Sequence, residues 1–182
     1  MRWLAKLIYF KVLGWKVVGN TNFSKDSIKK AVIIAAPHTS WSDFYISLLL
    51  RKITQVKTNF IGKKELFIWP FGYYFRAVGG QPLDRTPGQN KVEAIAKLFE
   101  GKKEFRLALS PEGTRKKVDK WKTGFYYIAK AANVPIIMYT FDFKNKQNTV
   151  SQPFYPTDDI EADFKFMKLF YKNVIGKVEA NS

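Results

Sequence analysis

Residues 31–50 read AVIIAAPHTSWSDFYISLLL, and this stretch decides the fold class. The apolar run at 31–36 is short and bounded by polar residues, a pattern that is typical of a buried strand. From Trp41 onward, apolar residues recur at helical spacing. The stretch therefore predicts a buried strand, then a polar connection that contains His38, and then a helix.

The alternation of strands and helices continues along the chain. The aromatic segment 63–76 is interrupted by Pro70, which predicts short helical turns. Further strands are predicted at 58–62, 105–109 and 135–143, and further helices at 92–99, 121–132 and 160–174. Strands that alternate with helices indicate an α/β fold. We therefore predict a single domain with a largely parallel central sheet flanked by helices.

The composition supports one folded domain and limits its chemistry. The chain has 182 residues, 46% of them hydrophobic, which is enough to bury a core without disulfides or metals. It has no cysteine, which excludes a disulfide framework and a thiolate zinc site. His38 is the only histidine, so a histidine-rich metal site is also excluded. We expect no metal and no cofactor, and any imidazole chemistry must come from His38.

The charge of the chain indicates an anionic partner. Lysines and arginines number 31 against 15 acidic residues, a formal net charge of +16. The excess is concentrated in residues 1–64, which carry 12 basic and 2 acidic side chains. A field of this sign attracts nucleic acid, an anionic membrane surface or phosphate-bearing substrates. Charge alone does not choose among the three.

The N-terminal segment favours the membrane surface. Trp3, Leu4, Leu7 and Ile8 follow helical spacing, and lysines recur between the apolar residues. No apolar run approaches the ~20 residues that span a bilayer. We predict that residues 1–20 form a helix in the membrane interface, with its lysines directed toward lipid phosphates. The alternative is an ordinary N-terminal helix that packs on its own domain.

The connection after the first strand carries a candidate catalytic pair, His38 and Asp43. A hydroxyl is a poor nucleophile at neutral pH, so a reaction in which it attacks needs a base, and histidine has a suitable pKa. An aspartate bonded to the far ring nitrogen fixes the histidine tautomer and stabilises the imidazolium ion. The alternative is structural: Ser40 and Asp43 fit a capping-box-like pattern, and His38 is then a surface histidine.

A second polar segment, SPEGTR at 110–115, follows the strand predicted at 105–109. Loops at strand ends in α/β sheets are common ligand sites. Arg115 offers a planar donor fork for a phosphate, and Glu112 can hold that fork or a substrate hydroxyl. The alternative is a polar turn with a local Glu–Arg ion pair.

Four segments together resemble the glycerolipid acyltransferase family, typified by the 1-acylglycerol-3-phosphate acyltransferases. They are HTSWSD at 38–43, GGQPLDR at 79–85, SPEGTR at 110–115 and VPII at 134–137. GKKEL at 62–66 and KTG at 122–124 are similar to the family pattern too. The resemblance covers roughly residues 32–140. It implies a glycerol-3-phosphate acyltransferase-like α/β fold held against the membrane, here with residues 21–182 as the acyltransferase domain.

The resemblance also implies roles for single residues. His38 would be the general base and Asp43 its orienting partner. Arg85 would contact the phosphate of the acceptor. The remaining residues of the acceptor site would be Glu112, Gly113, Thr114 and Arg115, assisted by Lys63 or Lys64.

The function that follows is acyl transfer from acyl-CoA or acyl-carrier protein to the free hydroxyl of lysophosphatidic acid. Another lysolipid or an acylated amino acid is the alternative acceptor. We expect the protein on the cytoplasmic face of the membrane, as a peripheral or monotopic protein bound to anionic lipid. A basic nucleic-acid-binding module is an alternative of another class, supported by the charge and the aromatic residues. The sequence contains no nucleic-acid-binding signature, so we expect no nucleic-acid partner.

The aromatic residues of the segment 63–76 have three possible roles. They could line a groove for an acyl chain, dip into lipid, or pack in the core. They are Phe67, Trp69, Phe71, Tyr73, Tyr74 and Phe75.

Overall fold

A computed structural model describes residues 2–20, 28–83 and 90–182 and shows an α/β domain. Its strands form one seven-stranded sheet in the order β1-β7-β6-β2-β5-β3-β4. The strands are β1 Lys16–Gly19, β2 Lys30–Ala36, β3 Asn59–Lys63, β4 Gly80–Leu83, β5 Phe105–Leu109, β6 Ile136–Thr140 and β7 Gln147–Val150. Neighbouring strands are parallel except for the antiparallel pair β6 and β7. The predicted α/β fold with a largely parallel sheet is confirmed.

Helices cover both faces of the sheet. They are α1 Arg2–Lys6, α2 Ser42–Thr54, α3 Phe71–Ala77, α4 Lys91–Ala96, α5 Gly124–Ala131 and α6 Ile160–Phe170. Side chains of β2 alternate between the faces. Val32 and Ile34 pack in one core with α4, α5 and α6, whereas Ile33 faces α2. Each such fully buried aliphatic side chain contributes about 1.5–3 kcal/mol to folding.

The register of the central strands determines where the site lies. β2 is hydrogen-bonded to β5 on one side and to β6 on the other, with Val32 opposite both Leu107 and Ile136. Because these strands are parallel, the loops that leave their carboxyl ends emerge at one edge of the sheet. The loop with His38 follows β2 and the loop with Glu112 follows β5, so the sheet brings the two together.

The N-terminal helix is shorter than the predicted segment 1–20. After α1 the helix continues as π-helical turns over Leu7–Val12, where the Leu13 amide donates to the Ile8 carbonyl. The chain then turns and forms β1, which pairs with β7. Val17 and Val18 are extended and pair with β7, as suits β-branched residues, so the helix does not continue to residue 20.

One side of the N-terminal helix packs on the domain. Ala5 and Tyr9 are buried in a cluster with Ile46 and Leu50 of α2. The Tyr9 hydroxyl donates to the Asn148 side chain at 2.5 Å, and burial raises the pKa of Tyr9 well above its usual range. Within the described ranges, no helix is both long and apolar enough to cross a bilayer.

Other element boundaries also differ from the sequence prediction. β1, β4 and β7 were not predicted, because strands of four residues are too short to show a period. The helix predicted at 121–132 begins only at Gly124, and the strand predicted at 135–143 ends at Thr140. The last helix ends at Phe170, four residues before the predicted end.

Replacing Tyr9 with phenylalanine tests how firmly the N-terminal helix is anchored. Tyr9→Phe leaves the buried side-chain oxygen Oδ1 of Asn148 without its donor, which costs about 1–3 kcal/mol in the free energy of unfolding. Denaturant unfolding of wild type and variant measures the difference. Tyr127→Phe is the control because Tyr127 is exposed, and it should change stability little. Equal stabilities of Tyr9→Phe and wild type would show that this bond does not hold the helix.

Candidate active site

His38 and Asp43 form a hydrogen-bonded pair at the carboxyl edge of the sheet. His38 lies in the loop after β2, and Asp43 lies in the first turn of α2. The His38 Nδ1 is 2.9 Å from the Asp43 Oδ2. A carboxylate at this distance holds the ring proton on Nδ1, so Nε2 keeps its lone pair. This is the tautomer that a general base requires.

Asp43 also organises the loop that carries His38. The Asp43 side chain is only 1% exposed, and its Oδ2 accepts hydrogen bonds from the Thr39 amide at 3.0 Å and the Ser40 amide at 3.1 Å. The carboxylate thus reaches back from the helix to the preceding loop, as the acid of a capping box does. The catalytic and the structural interpretation of Asp43 are therefore compatible, because one carboxylate makes both sets of bonds.

Glu112 joins the second loop to the first. Its carboxylate accepts from the His38 backbone amide at 2.8 Å and from the Ser110 hydroxyl at 3.0 Å. Burial raises the pKa of the Glu112 carboxyl, and the two hydrogen bonds partly oppose this rise. Among the described residues Glu112 forms no ion pair with Arg115, which counts against the alternative of a polar turn with a local Glu–Arg pair. Glu112 instead fixes the backbone beside the histidine.

Arg115 contacts the loop that carries His38 through the ring of Trp41. Its guanidinium carbon lies 4.0 Å from the centre of the Trp41 ring, a distance typical of a cation–π contact. Trp41 directly precedes α2 and is 59% exposed. The buried Nε of Arg115 has no hydrogen-bond partner in the described part of the chain. The guanidinium of Arg115 therefore packs against the residue that directly precedes α2.

The rest of the 110–115 loop forms the rim of the site. Gly113 has φ +64°, a left-handed conformation, and a Cβ there would lie 2.7 Å from the Lys122 ammonium. Thr114 is exposed, and its hydroxyl accepts from the Lys116 amide. The Lys122 backbone amide donates to the Pro111 carbonyl, which holds the lysine at this rim. Sequence reasoning did not single out Lys122, although the KTG motif at 122–124 was a signal for it.

Two predicted substrate-binding residues are not placed with this group. Arg85 lies outside the described residues. Lys64 is exposed at the start of the 3-10 turn Lys64–Phe67, which follows β3. β3 leaves the sheet at the same edge, but β5 separates it from β2. The structure therefore brings together His38, Asp43, Glu112 and Arg115, with Lys64 farther along the edge.

The C-terminal segment packs against the loop that carries His38. Sequence reasoning did not predict this contact. The Val178 amide donates to the Thr39 hydroxyl at 3.1 Å. Gly176 packs so closely that an added Cβ would lie 2.6 Å from the same hydroxyl oxygen. Val178 and Thr39 are 139 residues apart in sequence, and no local sequence pattern predicts such a contact.

This fold and this His–Asp pair point to an enzyme that transfers acyl groups, and the comparison with known families agrees. The model of a family described as Acyltransferase matches residues 14–141, more than half of the chain. The protein therefore belongs to the acyltransferase family, as its motifs predicted. The match favours acyl transfer over a nucleic-acid-binding module.

The fold is similar to a solved structure, that of the 1-acyl-sn-glycerophosphate (LPA) acyltransferase PlsC from Thermotoga maritima. The two chains are 22% identical, with a TM-score of 0.59. The match covers 93% of this chain and 74% of that chain. At this identity the likeness concerns the fold. A comparison with curated protein sequences finds no match.

Proposed function

We propose that this acyltransferase moves a fatty acyl chain from a thioester donor to the free hydroxyl of lysophosphatidic acid. The observation that carries the proposal is the His38–Asp43 pair, with a stacked guanidinium beside it. The pair provides a base for the hydroxyl, and Arg115 provides a cation for the phosphate. The similarity to a lysophosphatidic acid acyltransferase fold supports the choice of acceptor.

His38 would act first as a base and then as an acid. The acceptor hydroxyl gives its proton to Nε2 while its oxygen attacks the thioester carbonyl carbon. Asp43 stabilises the imidazolium ion that forms, because its buried carboxylate already faces Nδ1. When the tetrahedral intermediate collapses, the carbon–sulfur bond breaks and the imidazolium proton goes to the departing sulfur. The products are the new ester and a free thiol.

The acceptor phosphate would bind at the rim of the site. A phosphate monoester is close to doubly charged at neutral pH and is well matched by a guanidinium fork. Arg115 is our candidate for this contact, because its guanidinium lies over the ring of Trp41, next to the loop that carries His38. Lys122 lies on the same rim, next to Gly113. Arg85, predicted from its motif, would add a second fork.

The enzyme would work at the cytoplasmic surface of an anionic membrane. The N-terminal helix leaves a row of apolar side chains exposed while Ala5 and Tyr9 face the domain. The exposed ones are Trp3, Leu4, Leu7, Phe10 and Val12. A second exposed group surrounds α3 and contains Ile68, Trp69, Phe71, Tyr73 and Tyr74. Of the three roles open to the aromatic residues of the segment 63–76, contact with lipid fits these exposed ones best. Phe67 instead is buried and packs against Phe75.

Removing the base tests the mechanism. His38→Ala should lower kcat by ~10²–10⁴ while the protein stays folded, the range for losing a general base. Asp43→Asn should lower the same step, because an amide no longer holds the proton on Nδ1. Product formation from labelled acyl donor and lysophosphatidic acid measures both, with circular dichroism as the folding control. Near-normal turnover by folded His38→Ala would rule out this mechanism.

Arg115 tests whether the acceptor carries a phosphate. Arg115→Ala should cost about 1.5–3 kcal/mol in kcat/KM with lysophosphatidic acid, the scale of hydrogen bonds to a charged group. With the same lipid lacking its phosphate, the loss should be small. Arg115→Lys is the matched variant: it keeps the charge but not the fork, so little activity should return. Equal losses in kcat/KM on the two lipids would show that Arg115 does not bind the acceptor phosphate and would favour another acceptor.

The membrane interface is tested by vesicle binding. Trp3→Ser combined with Leu7→Ser removes two exposed apolar residues of the N-terminal helix. Binding to vesicles that contain phosphatidylglycerol should weaken roughly tenfold or more, because each partly buried side chain contributes up to ~1.5–3 kcal/mol. Tyr155→Ser combined with Leu169→Ser removes comparable exposed residues elsewhere and is the control. If both double variants sediment with vesicles as wild type does, the N-terminal helix is not the contact.

A further inference from the structure

A groove of about 800 Å³ lies beside the catalytic loop. Its walls come from four parts of the chain: the end of the N-terminal helix with the turn that follows it, the first turns of α2, the connection between β6 and β7, and the C-terminal segment. Trp15, Ser42 and Tyr45 are among the residues that line it. A cavity of this size is typical of sites for small ligands.

The groove touches the catalytic machinery directly. Ser42 lines it and is the neighbour of Asp43 in the first turn of α2. Gly176 lines it too, and it packs against the Thr39 side chain of the histidine loop. A ligand in the groove would therefore contact Ser42, the chain neighbour of Asp43, and Gly176, which packs against the chain neighbour of His38.

The charge of the groove is positive. Lys144, Lys146 and Lys177 line it, and Glu179 is the one acid among its described lining residues. None of the three lysines forms an ion pair with another residue in the described ranges. The Lys177 ammonium lies 5.6 Å from the centre of the Phe143 ring, which also lines the groove. Three unpaired ammonium groups beside aromatic surface suit a ligand with several phosphates and a flat ring.

We propose that this groove binds the nucleotide end of acyl-CoA, with the three lysines on its phosphates and the exposed Tyr45 ring against its adenine. The inference rests on the proposed function and answers a question that function left open, the nature of the donor. Arg115 and Trp41, assigned to the acceptor phosphate, do not line this groove. Donor and acceptor phosphates thus have separate cations, and the pantetheine arm carries the thioester from the groove to His38.

Direct binding of adenosine 3′,5′-bisphosphate, the nucleotide end without the thioester, tests the site. The triple variant Lys144→Gln, Lys146→Gln, Lys177→Gln should bind it at least about tenfold more weakly than wild type by calorimetry. The control Lys165→Gln, Lys168→Gln, Lys172→Gln removes the same charge from a groove along α6 and should bind as wild type does. Equal weakening in both variants, or no binding by wild type, would overturn the proposal.

Kinetics with two donors separate this inference from the proposed function. The groove variant should raise the KM for palmitoyl-CoA about tenfold and leave that for palmitoyl-pantetheine, which has no nucleotide, unchanged. Equal effects on both donors would overturn the groove assignment. If wild type transfers from palmitoyl-CoA and the variant matches it, the groove assignment fails while the function stands. If wild type binds the bisphosphate at the lysines but transfers no acyl chain, the site stands and the function fails.

Discussion

The buried carboxylate of Asp43 is the group on which the site depends. One of its oxygens accepts from the imidazole of His38 and from two backbone amides of the same loop. A carboxylate held by several donors stays in place although it is almost entirely removed from water. The loop, the start of α2 and the histidine tautomer therefore share one anchor. The other contacts of the site, such as those of Glu112, reinforce the loop conformation that Asp43 sets.

The site also depends on the parallel sheet, which places its two loops next to each other. β2 and β5 are neighbours in register, so their loops leave the sheet side by side, and the Glu112 carboxylate can reach the His38 amide. Burial raises the pKa of that carboxyl, so an ionised Glu112 is partly dependent on its two hydrogen bonds. Arg115 then reaches the site through Trp41. The loop after β5 thus fixes the backbone of His38 through Glu112 and places the guanidinium of Arg115 on the neighbouring Trp41 ring.

Sequence reasoning found the fold class and the pairing of His38 with Asp43 because both depend on local patterns. The strand, loop and helix around His38 have clear apolar periods, and His38 and Asp43 are five residues apart. It missed the contact of Val178 with Thr39 and the stacking of Arg115 on Trp41, since both join segments distant in sequence. It extended the N-terminal helix too far because Val17 and Val18 continue an apolar pattern that helix and strand share.

Asp43 both binds the histidine ring and holds the loop backbone, and this affects how the sequence can evolve. A residue needed for chemistry alone can be lost once selection on the chemistry relaxes. Here replacement would also leave two loop amides without their acceptor, so folding itself keeps the residue. A descendant that had given up its reaction would still be expected to carry this aspartate, while His38, whose ring is partly exposed, could drift. The histidine rather than the aspartate is then the mark of a working enzyme.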